Sequence, residues 1–363
     1  MIRALPVLGS LPAACESAAV VVPPPRPARF ARIPGALIDG LGRHITYARF
    51  SVTDRCDLAC VYCMPPRGER DHARSAGLLD FGEIARVAGL LARSGVTRLR
   101  LTGGEPMVRR GLVDLVRLVR LAAPTLHLAL TTNGMRLAEL ARPLREAGLG
   151  SVNVSVDSLD PARFEAITRG GSLATVVAGV HAALHAGLEV KLNSVVLGRA
   201  SLDEIPNLVD WAWSLGVTPR FIELMPIGEA ARLPASDFVP ASEIQAALAA
   251  RVAGALPPPS GAGPATYATA RDGSRRKVGL IAATSRPFCA ECNRIRITAR
   301  GALRGCLGSP DGVDLREIIR STPDDLELAW ALHAALRTKA AQHAFAEGHA
   351  GAHAAVGMSL VGG

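Results

Sequence analysis

Lysine and aromatic side chains are scarce in this chain of 363 residues, and their scarcity narrows the classes of function. Only three lysines occur, at positions 191, 277 and 339, and aromatic residues make up 4% of the chain. Because lysines are so few, the formal net charge of +9 comes almost entirely from arginines. These arginines are scattered among acidic residues and are not gathered on one basic helix. Nucleic-acid surfaces usually combine a basic stripe with stacking aromatics. We therefore expect no nucleic-acid partner.

Long apolar runs are also missing. A membrane-spanning helix needs roughly 18 consecutive apolar residues, and Pro6, Pro12 and Glu16 interrupt the best candidate segment, 5–22. We therefore expect no membrane association. The first 34 residues include Pro23-Pro-Pro-Arg-Pro27 and are typical of a disordered extension.

Six of the seven cysteines fall in two clusters, and only Cys15 stands apart. Tight clusters favour metal ligation in a reducing compartment over a disulfide framework. We therefore predict a cytoplasmic protein with two metal-binding cysteine groups. The predicted ligands are Cys56, Cys60 and Cys63 in the first group, and Cys289, Cys292 and Cys306 in the second.

The first group has the spacing Cys-x3-Cys-x2-Cys. Three thiolates offered to a four-iron cluster leave one iron without a protein ligand, and an open iron can bind a small molecule. A structural zinc loop would instead favour Cys-x2-Cys pairs and four ligands in total. The spacing therefore indicates a reactive cluster.

Short β-rich runs alternate with amphipathic helical patterns in the first two thirds of the chain, which predicts a parallel sheet. Six such units are too few to close an eight-fold barrel. We therefore predict an α/β fold with a partial (βα)6 barrel over residues 35–255 and a C-terminal α+β domain over residues 256–363. The predicted strands are 46–52, 98–102, 126–132, 152–156, 190–196 and 220–224.

Unusual residues follow four of these strands, in the segments 102–106, 131–134, 155–157 and 223–225. The carboxyl ends of parallel strands form the working face of such barrels. We therefore predict the active face at this end of the sheet.

The second cysteine group is followed at once by Asn293-Arg-Ile-Arg296. In a β-strand, Arg294 and Arg296 project to the same side, and two guanidinium groups beside a metal suit a phosphorylated substrate. Zinc remains an alternative for this group, because His333, His343, His349 or His353 could supply a fourth ligand.

The first cysteine group, together with Gly103-Gly-Glu-Pro106, resembles the radical S-adenosylmethionine (SAM) enzymes. Within them, the chain resembles the GTP 3',8-cyclase family, molybdenum cofactor biosynthesis protein A. Beyond the two cysteine groups, the resemblance rests on the segments 39–43, 100–106, 131–134, 152–159, 191–193, 221–225 and 289–296 and on the terminal Gly362-Gly363. The chain departs from the pattern at Gly357, where an arginine would be expected before Met358.

The resemblance implies a lyase that cyclises GTP to 3',8-cyclo-7,8-dihydro-GTP with SAM and two [4Fe–4S] clusters. It places Arg49, Arg100, Thr131, Lys191, Arg294, Ile295 and Arg296 at GTP. It places Tyr62, Gly104, Ser155 and Met225 at SAM, and gives Gly362 and Gly363 a catalytic role.

The resemblance also implies an external low-potential electron donor, with cyclic pyranopterin monophosphate synthase as the downstream partner and a homodimer as one possible assembly. Two alternatives stay open from the sequence. One is another radical SAM enzyme with an auxiliary cluster, and the other is a non-catalytic cluster- or zinc-binding protein.

Overall fold

Six parallel strands form the centre of the fold, and a helix follows each of them. The computed structural model describes residues 20–21, 23–66, 77–254, 263–309, 311–343, 345 and 357–358. The six central strands are β2 (Tyr47–Ser51), β3 (Arg98–Thr102), β4 (His127–Thr132), β5 (Ser151–Ser155), β6 (Glu189–Val196) and β7 (Thr218–Glu223). Each lies where the sequence predicts it, with ends shifted by at most two residues. The predicted partial barrel is confirmed.

The helices between these strands pack on the outside of the sheet. They are α1 (Phe81–Arg93), α2 (Leu112–Ala122), α3 (Leu137–Glu146), α4 (Pro161–Thr168), α5 (Leu173–His185) and α6 (Gly198–Ser214). The start of α1 follows from its sequence, because Asp80 and Glu83 each accept a hydrogen bond from the other's backbone N–H. Asp160 caps α4 in a similar way, ahead of Pro161. Within the described residues, no helix combines the length and apolarity needed to cross a bilayer.

Residues beyond 262 extend the same sheet at both edges. At one edge β9 (Lys277–Ile281) runs parallel to β7, and β8 (Thr266–Thr269) pairs with β9. At the other edge β10 (Arg294–Ile297) runs parallel to β2. Outside it lie β11 (Ala302–Arg304), β12 (Gly312–Asp314) and β1 (Val20–Val21). The other described α-helices are α7 (Ala241–Leu248), α8 (Arg316–Ser321) and α9 (Asp325–Leu336). The C-terminal region therefore continues the barrel wall, and the domain boundary near residue 255 stays a prediction.

The two faces of the central sheet differ sharply in polarity. Alternate residues such as Phe50, Leu99 and Phe221 are fully buried against the helices. Their neighbours along the strands, such as Arg49 and Arg100, face the inside of the barrel. Because side chains alternate across a strand, one set of strands builds both an apolar outer core and a polar interior.

The segment 23–34 corrects one prediction, since it packs on α9 rather than remaining disordered. The Arg26 Nε donates to Glu327 at 2.6 Å, and the Trp330 Nε1 donates to the carbonyl of Pro24 at 2.7 Å. The Phe30 ring contacts Trp330 edge-on, with 5.2 Å between centroids. The proline-rich composition of this segment suggested disorder and gave no sign of these contacts with α9.

We predict that Leu99→Ala lowers the free energy of unfolding by about 2–5 kcal/mol, because Leu99 is fully buried and its loss leaves a cavity. The matched control is Leu121→Ala on α2, where the side chain is 79% exposed and the expected change is within about 0.5 kcal/mol. Urea unfolding of the metal-free chain measures both. Equal changes for the two variants would contradict the predicted core.

Candidate active site

The inner face of the barrel encloses a cavity of about 480 Å³. Residues of every central strand line it, and except at the ends of β4 and β7 they alternate along the strand, as the period-two geometry of strands requires. The lining strand residues of β2 to β7 are Tyr47, Arg49, Arg98, Arg100, Thr102, Thr131, Thr132, Asn153, Ser155, Lys191, Asn193, Val195, Arg220, Ile222 and Glu223. All six clustered cysteines also line this cavity.

The first cysteine group lies at the carboxyl ends of the strands, in the loop that follows β2. Cys56, Cys60 and Cys63 all carry free thiols, and the Cys63 amide donates to the Cys60 carbonyl at 2.9 Å. Burial raises the pKa of Cys56 and Cys63 to about 12 and that of Cys60 well above its usual range. Iron needs thiolates, so metal binding here releases protons.

The Gly103-Gly104 pair is required by the cysteine loop itself. A Cβ at Gly103 would lie 2.6 Å from the carbonyl oxygen of Thr53, and one at Gly104 would lie 2.4 Å from that of Arg55. The Gly104 and Glu105 amides also donate to these two carbonyls, at 2.9 and 2.8 Å. The glycines therefore let β3 support the loop that carries Cys56, a role that the sequence did not reveal.

The Glu105 carboxylate is buried at the same end and already has donors. It accepts from the Met107 amide at 3.0 Å, the Thr132 hydroxyl at 2.9 Å and the Asn133 amide at 2.7 Å. Burial nevertheless raises its pKa to about 7. These bonds tie the ends of β3 and β4 together beneath the cysteine loop.

Tyr62 lies between two of the cysteines and points into the cavity. Its hydroxyl donates to Asp157 at 2.7 Å, and Asp157 also accepts from the Val195 amide at 2.8 Å. Burial raises the pKa of Asp157 to about 6. The carboxylate therefore fixes the Tyr62 ring against the end of β6.

The second cysteine group lies at the opposite end of the barrel. Cys289 and Cys292 precede β10, which runs parallel to β2, so they lie at the amino ends of the strands. Cys306 follows β11, which returns antiparallel to β10 and brings it to the same end. Burial alone would raise the pKa of Cys292, but the charges of Arg294 and Lys339 lower it to about 7.

Seven cationic side chains line the cavity that contains both groups. They are Arg49, Arg98, Arg100, Lys191, Arg220, Arg294 and Arg296. Strand register brings them together, because Arg49 on β2 lies directly opposite Arg100 on β3 and Arg296 on β10. Among the described residues, Arg49 Nε and two Arg220 nitrogens are buried without a hydrogen-bond partner. Buried guanidinium nitrogens without a hydrogen-bond partner favour an anionic ligand.

Tyr47 lies among these arginines on the inner face of β2. Arg100 Nε donates to its hydroxyl oxygen at 2.6 Å, and the Arg49 guanidinium lies 6.0 Å from its ring centroid. Burial would raise the pKa of this phenol, but the Arg100 and Arg49 charges outweigh burial and lower it to about 7.

Lys191 lines the cavity and is also paired, since its Nζ lies 2.5 Å from the carboxylate of Glu189. Thr131 lies on the inner face of β4, where Arg100 Nη1 approaches its hydroxyl at 3.4 Å. Tyr62, Gly104, Ser155 and Met225, the four residues predicted at SAM, line the cavity as well.

Ile295 differs from the other predicted GTP residues. Strand alternation places its side chain on the outer face, where it is buried in the apolar core. Gly362 and Gly363 lie outside the described residues. Met358, four residues earlier in the chain than Gly362, lines the cavity.

Three residues that the sequence did not indicate also line the cavity, namely Arg98, Arg220 and Tyr267, while Asp157 lies there as the predicted active face implies. Arg220 could have been found by counting in steps of two along a predicted buried strand, where a charged residue is unusual. Tyr267 had no such signal, because β8 reaches the cavity only through its place at the sheet edge.

The donor set of each cysteine group fits a cluster with one open iron. Each group offers three half-buried thiols to a shared cavity. Of the histidines considered as zinc ligands, His343 lines the cavity beside Cys289, whereas His333 lies on α9 against Phe30 and Trp330. His349 and His353 lie outside the described residues.

We predict that Gly104→Ala lowers the iron content of the reconstituted chain from about eight to about four, on the four-iron stoichiometry. The new Cβ collides with the Arg55 carbonyl and displaces the loop of the first group. Gly35→Ala is the control, since a Cβ there meets nothing within 4 Å. Full iron loading of the Gly104 variant would contradict this role.

Comparison with known proteins agrees with the two halves of the site. The Radical SAM superfamily model matches residues 50–212, and the Molybdenum Cofactor Synthesis C model matches residues 217–345. Streptococcus suis SuiB bound to S-adenosylmethionine has a similar fold, with a TM-score of 0.59 over 81% of this chain and 68% of that one. At 13% identity, this likeness shows the fold alone.

Curated relatives are much closer in sequence. The chain is 45% identical to GTP 3',8-cyclase 1 of Pseudomonas aeruginosa over 85% of its length and 94% of the relative's. It is 44% identical to GTP 3',8-cyclase of Rhodopseudomonas palustris, over 85% of this chain and 90% of that one. For the Caulobacter vibrioides enzyme of the same name, the identity is 43% over 90% of this chain and 94% of that one. The chain therefore belongs to the GTP 3',8-cyclase family of radical SAM enzymes.

Proposed function

We propose that this chain cyclises GTP to (8S)-3',8-cyclo-7,8-dihydroguanosine 5'-triphosphate, the first step of molybdenum cofactor biosynthesis. The observation that carries the proposal is one cavity that joins two three-cysteine groups across a band of seven cations. The close relatives named for this activity support it.

The cations of the inner face would bind the triphosphate. GTP carries about four negative charges, and guanidinium groups hold phosphate oxygens through paired, charge-assisted hydrogen bonds. Arg49, Arg100, Arg294, Arg296 and Lys191 are the proposed contacts, together with Thr131 and the backbone of Ile295. Arg220 belongs with them, because two of its buried nitrogens, Nε and Nη2, have no hydrogen-bond partner among the described residues.

The opposed positions of the two cysteine groups would set the orientation of GTP. With the triphosphate on the cation band, the base can reach the amino-end group while the ribose faces the carboxyl-end group. Phe288 lines the amino end, where the Arg294 guanidinium lies 4.6 Å from its ring centroid. An aromatic ring there offers the base an apolar surface.

The carboxyl-end group would hold SAM, with Tyr62, Gly104, Ser155 and Met225 as its contacts. The six cysteines would ligate two [4Fe–4S] clusters, which together with SAM supply the electron and the hydrogen-abstracting radical. Asp157 keeps Tyr62 in place through the 2.7 Å hydrogen bond. The chain's own contribution is thus to fix the ribose and the cofactor at adjacent positions.

The direct test is anaerobic incubation of reconstituted protein with SAM, GTP and a strong reductant. Mass spectrometry should detect both 5'-deoxyadenosine and a cyclised GTP, with both products dependent on GTP. Formation of 5'-deoxyadenosine at a rate indifferent to GTP would instead favour another radical SAM enzyme with an auxiliary cluster. A chain loaded with both clusters that forms neither product would favour a non-catalytic metal-binding protein.

We predict that Lys191→Ala weakens GTP binding roughly tenfold to a hundredfold, because a charge-assisted hydrogen bond is worth about 1.5–3 kcal/mol. The matched control is Lys277→Ala, whose side chain is exposed on β9. Isothermal titration calorimetry of the anaerobic protein measures both. Unchanged affinity in the Lys191 variant would remove this residue from the GTP site.

The terminal Gly362 and Gly363 are proposed to enter the active site, since a segment without side chains can thread into a crowded cavity. Met358 in the cavity lining supports this path. Deletion of both glycines is expected to abolish GTP-dependent turnover while leaving iron content and SAM binding intact. If the deletion variant turns over GTP at the native rate, the two glycines have no catalytic role and are an ordinary frayed terminus.

The remaining proposals concern the surroundings of the enzyme. An external low-potential donor would supply electrons, and cyclic pyranopterin monophosphate synthase would consume the product.

The proposed location of the enzyme is the cytoplasm, because oxygen-sensitive clusters and free cysteines need a reducing compartment. Analytical ultracentrifugation would test the proposed homodimer.

A further inference from the structure

The motif Asp39-Gly-Leu-Gly-Arg43 has no role in the proposed contacts with GTP or SAM, yet the structure ties it to the second cysteine group. It folds as a tight turn, in which Asp39 accepts hydrogen bonds from the amides of Leu41 and Arg43 at 2.9 and 3.0 Å. A Cβ at Gly40 would lie 2.6 Å from the Arg337 carbonyl, and Gly42 has a φ of 80°. Both glycines are therefore required for the turn to pack against the end of α9.

Arg43 extends from this turn to the loop that carries Cys289. Its Nε donates to the Asp39 carboxylate at 2.6 Å, and its Nη1 donates to the Cys289 carbonyl at 2.7 Å. The same guanidinium binds the carbonyls of Ala340 and Ala341 at 2.9 and 3.2 Å. One side chain thus connects the turn, the cysteine loop and the segment after α9.

Lys339 contacts the same cysteine group at Cys292. Its Nζ donates to the Cys292 carbonyl at 2.7 Å and lies 3.5 Å from the Cys292 sulfur. It also lies 3.8 Å from the Asp39 carboxylate, and its side chain is only 2% exposed. A Cβ at Gly305 would lie 3.0 Å from its Cγ, so its stem packs on the residue just before Cys306.

We infer that Asp39, Arg43 and Lys339 form a clamp that holds the second cysteine group in its ligating arrangement and sets the reduction potential of the cluster there. The clamp grips the loop through the carbonyls of Cys289 and Cys292, and it places a buried positive charge beside one ligand sulfur. These are positioning residues, and the inference rests on the proposed assignment of an iron–sulfur cluster to this group.

The positive charge of Lys339 affects the reduction potential of the cluster, whereas its packing affects only the position of the loop. Reduction adds negative charge to an iron–sulfur cluster, and a nearby cation with hydrogen bonds to the ligand sulfur stabilises the reduced form. Burial keeps water from screening this charge. The clamp therefore makes the second cluster easier to reduce than its three cysteines alone would.

The test compares Lys339→Met, which keeps the length of the stem but removes the charge, with Lys277→Met on the surface. Both full-length variants are reconstituted anaerobically, and iron, sulfide and the potential of each cluster are measured by redox titration with electron paramagnetic resonance. We expect Lys277→Met to match the native protein at about eight irons. In Lys339→Met we expect either a second cluster with a more negative potential or the loss of about four irons.

Lys339→Arg separates charge from packing, because it retains the cation, and the potential of its second cluster is expected to stay near the native value. A Lys339→Met variant with about eight irons and an unchanged second potential would overturn the inference. So would equal shifts in the Met and Arg variants, because a purely structural role predicts them.

Arg43→Gln provides an independent route if Lys339→Met fails to fold by circular dichroism. This variant leaves Lys339 in place, and we expect it to lose about four irons from a folded chain. Full loading with a native potential would overturn the clamp. None of these readouts uses GTP, so native iron content without cyclised product would count against the proposed function and not against the clamp.

Discussion

Mutual repulsion among buried cations is the constraint on which the site depends. Seven cationic side chains line one cavity, and two like charges about 6 Å apart repel by roughly 3 kcal/mol at an effective dielectric constant of 20. The sheet tolerates this because its outer face is packed with fully buried apolar side chains such as Phe50 and Leu101. The stability of the outer core thus permits an interior in which seven cations lie close together.

The two cysteine groups lie at opposite ends of the barrel strands. The chain enters the carboxyl-end group directly after β2 and leaves the amino-end group directly before β10, and these two strands are hydrogen-bonded neighbours in parallel. Each cysteine group has its own support: Gly103 and Gly104 carry the first through backbone contacts, and Arg43 with Lys339 grips the second. Both groups nevertheless line the same cavity.

Much of this arrangement could be predicted from the sequence. Period-two alternation located the six strands, and cysteine spacing singled out the two groups that line the cavity. The failures have physical causes. Proline-rich composition suggested disorder for the segment 23–34, but Phe30 and Arg26 find partners on α9 that are 300 or more residues away in sequence. The close packing of Gly103 and Gly104 on the backbone of Thr53 and Arg55 also joins segments about 50 residues apart, so no local pattern indicated it.

The sequence by itself determined which residues could ligate iron, which strands would alternate and which family the chain resembles, because these depend on local spacing. Only the tertiary structure decided that the second cysteine group lies at the opposite end of the barrel from the first, since that depends on β10 pairing in parallel with β2, some 250 residues earlier. It likewise decided that the three lysines have three different environments: Lys191 in the cavity, Lys277 on the surface and Lys339 beside Cys292. Such placements arise from contacts between distant segments, which no local pattern encodes.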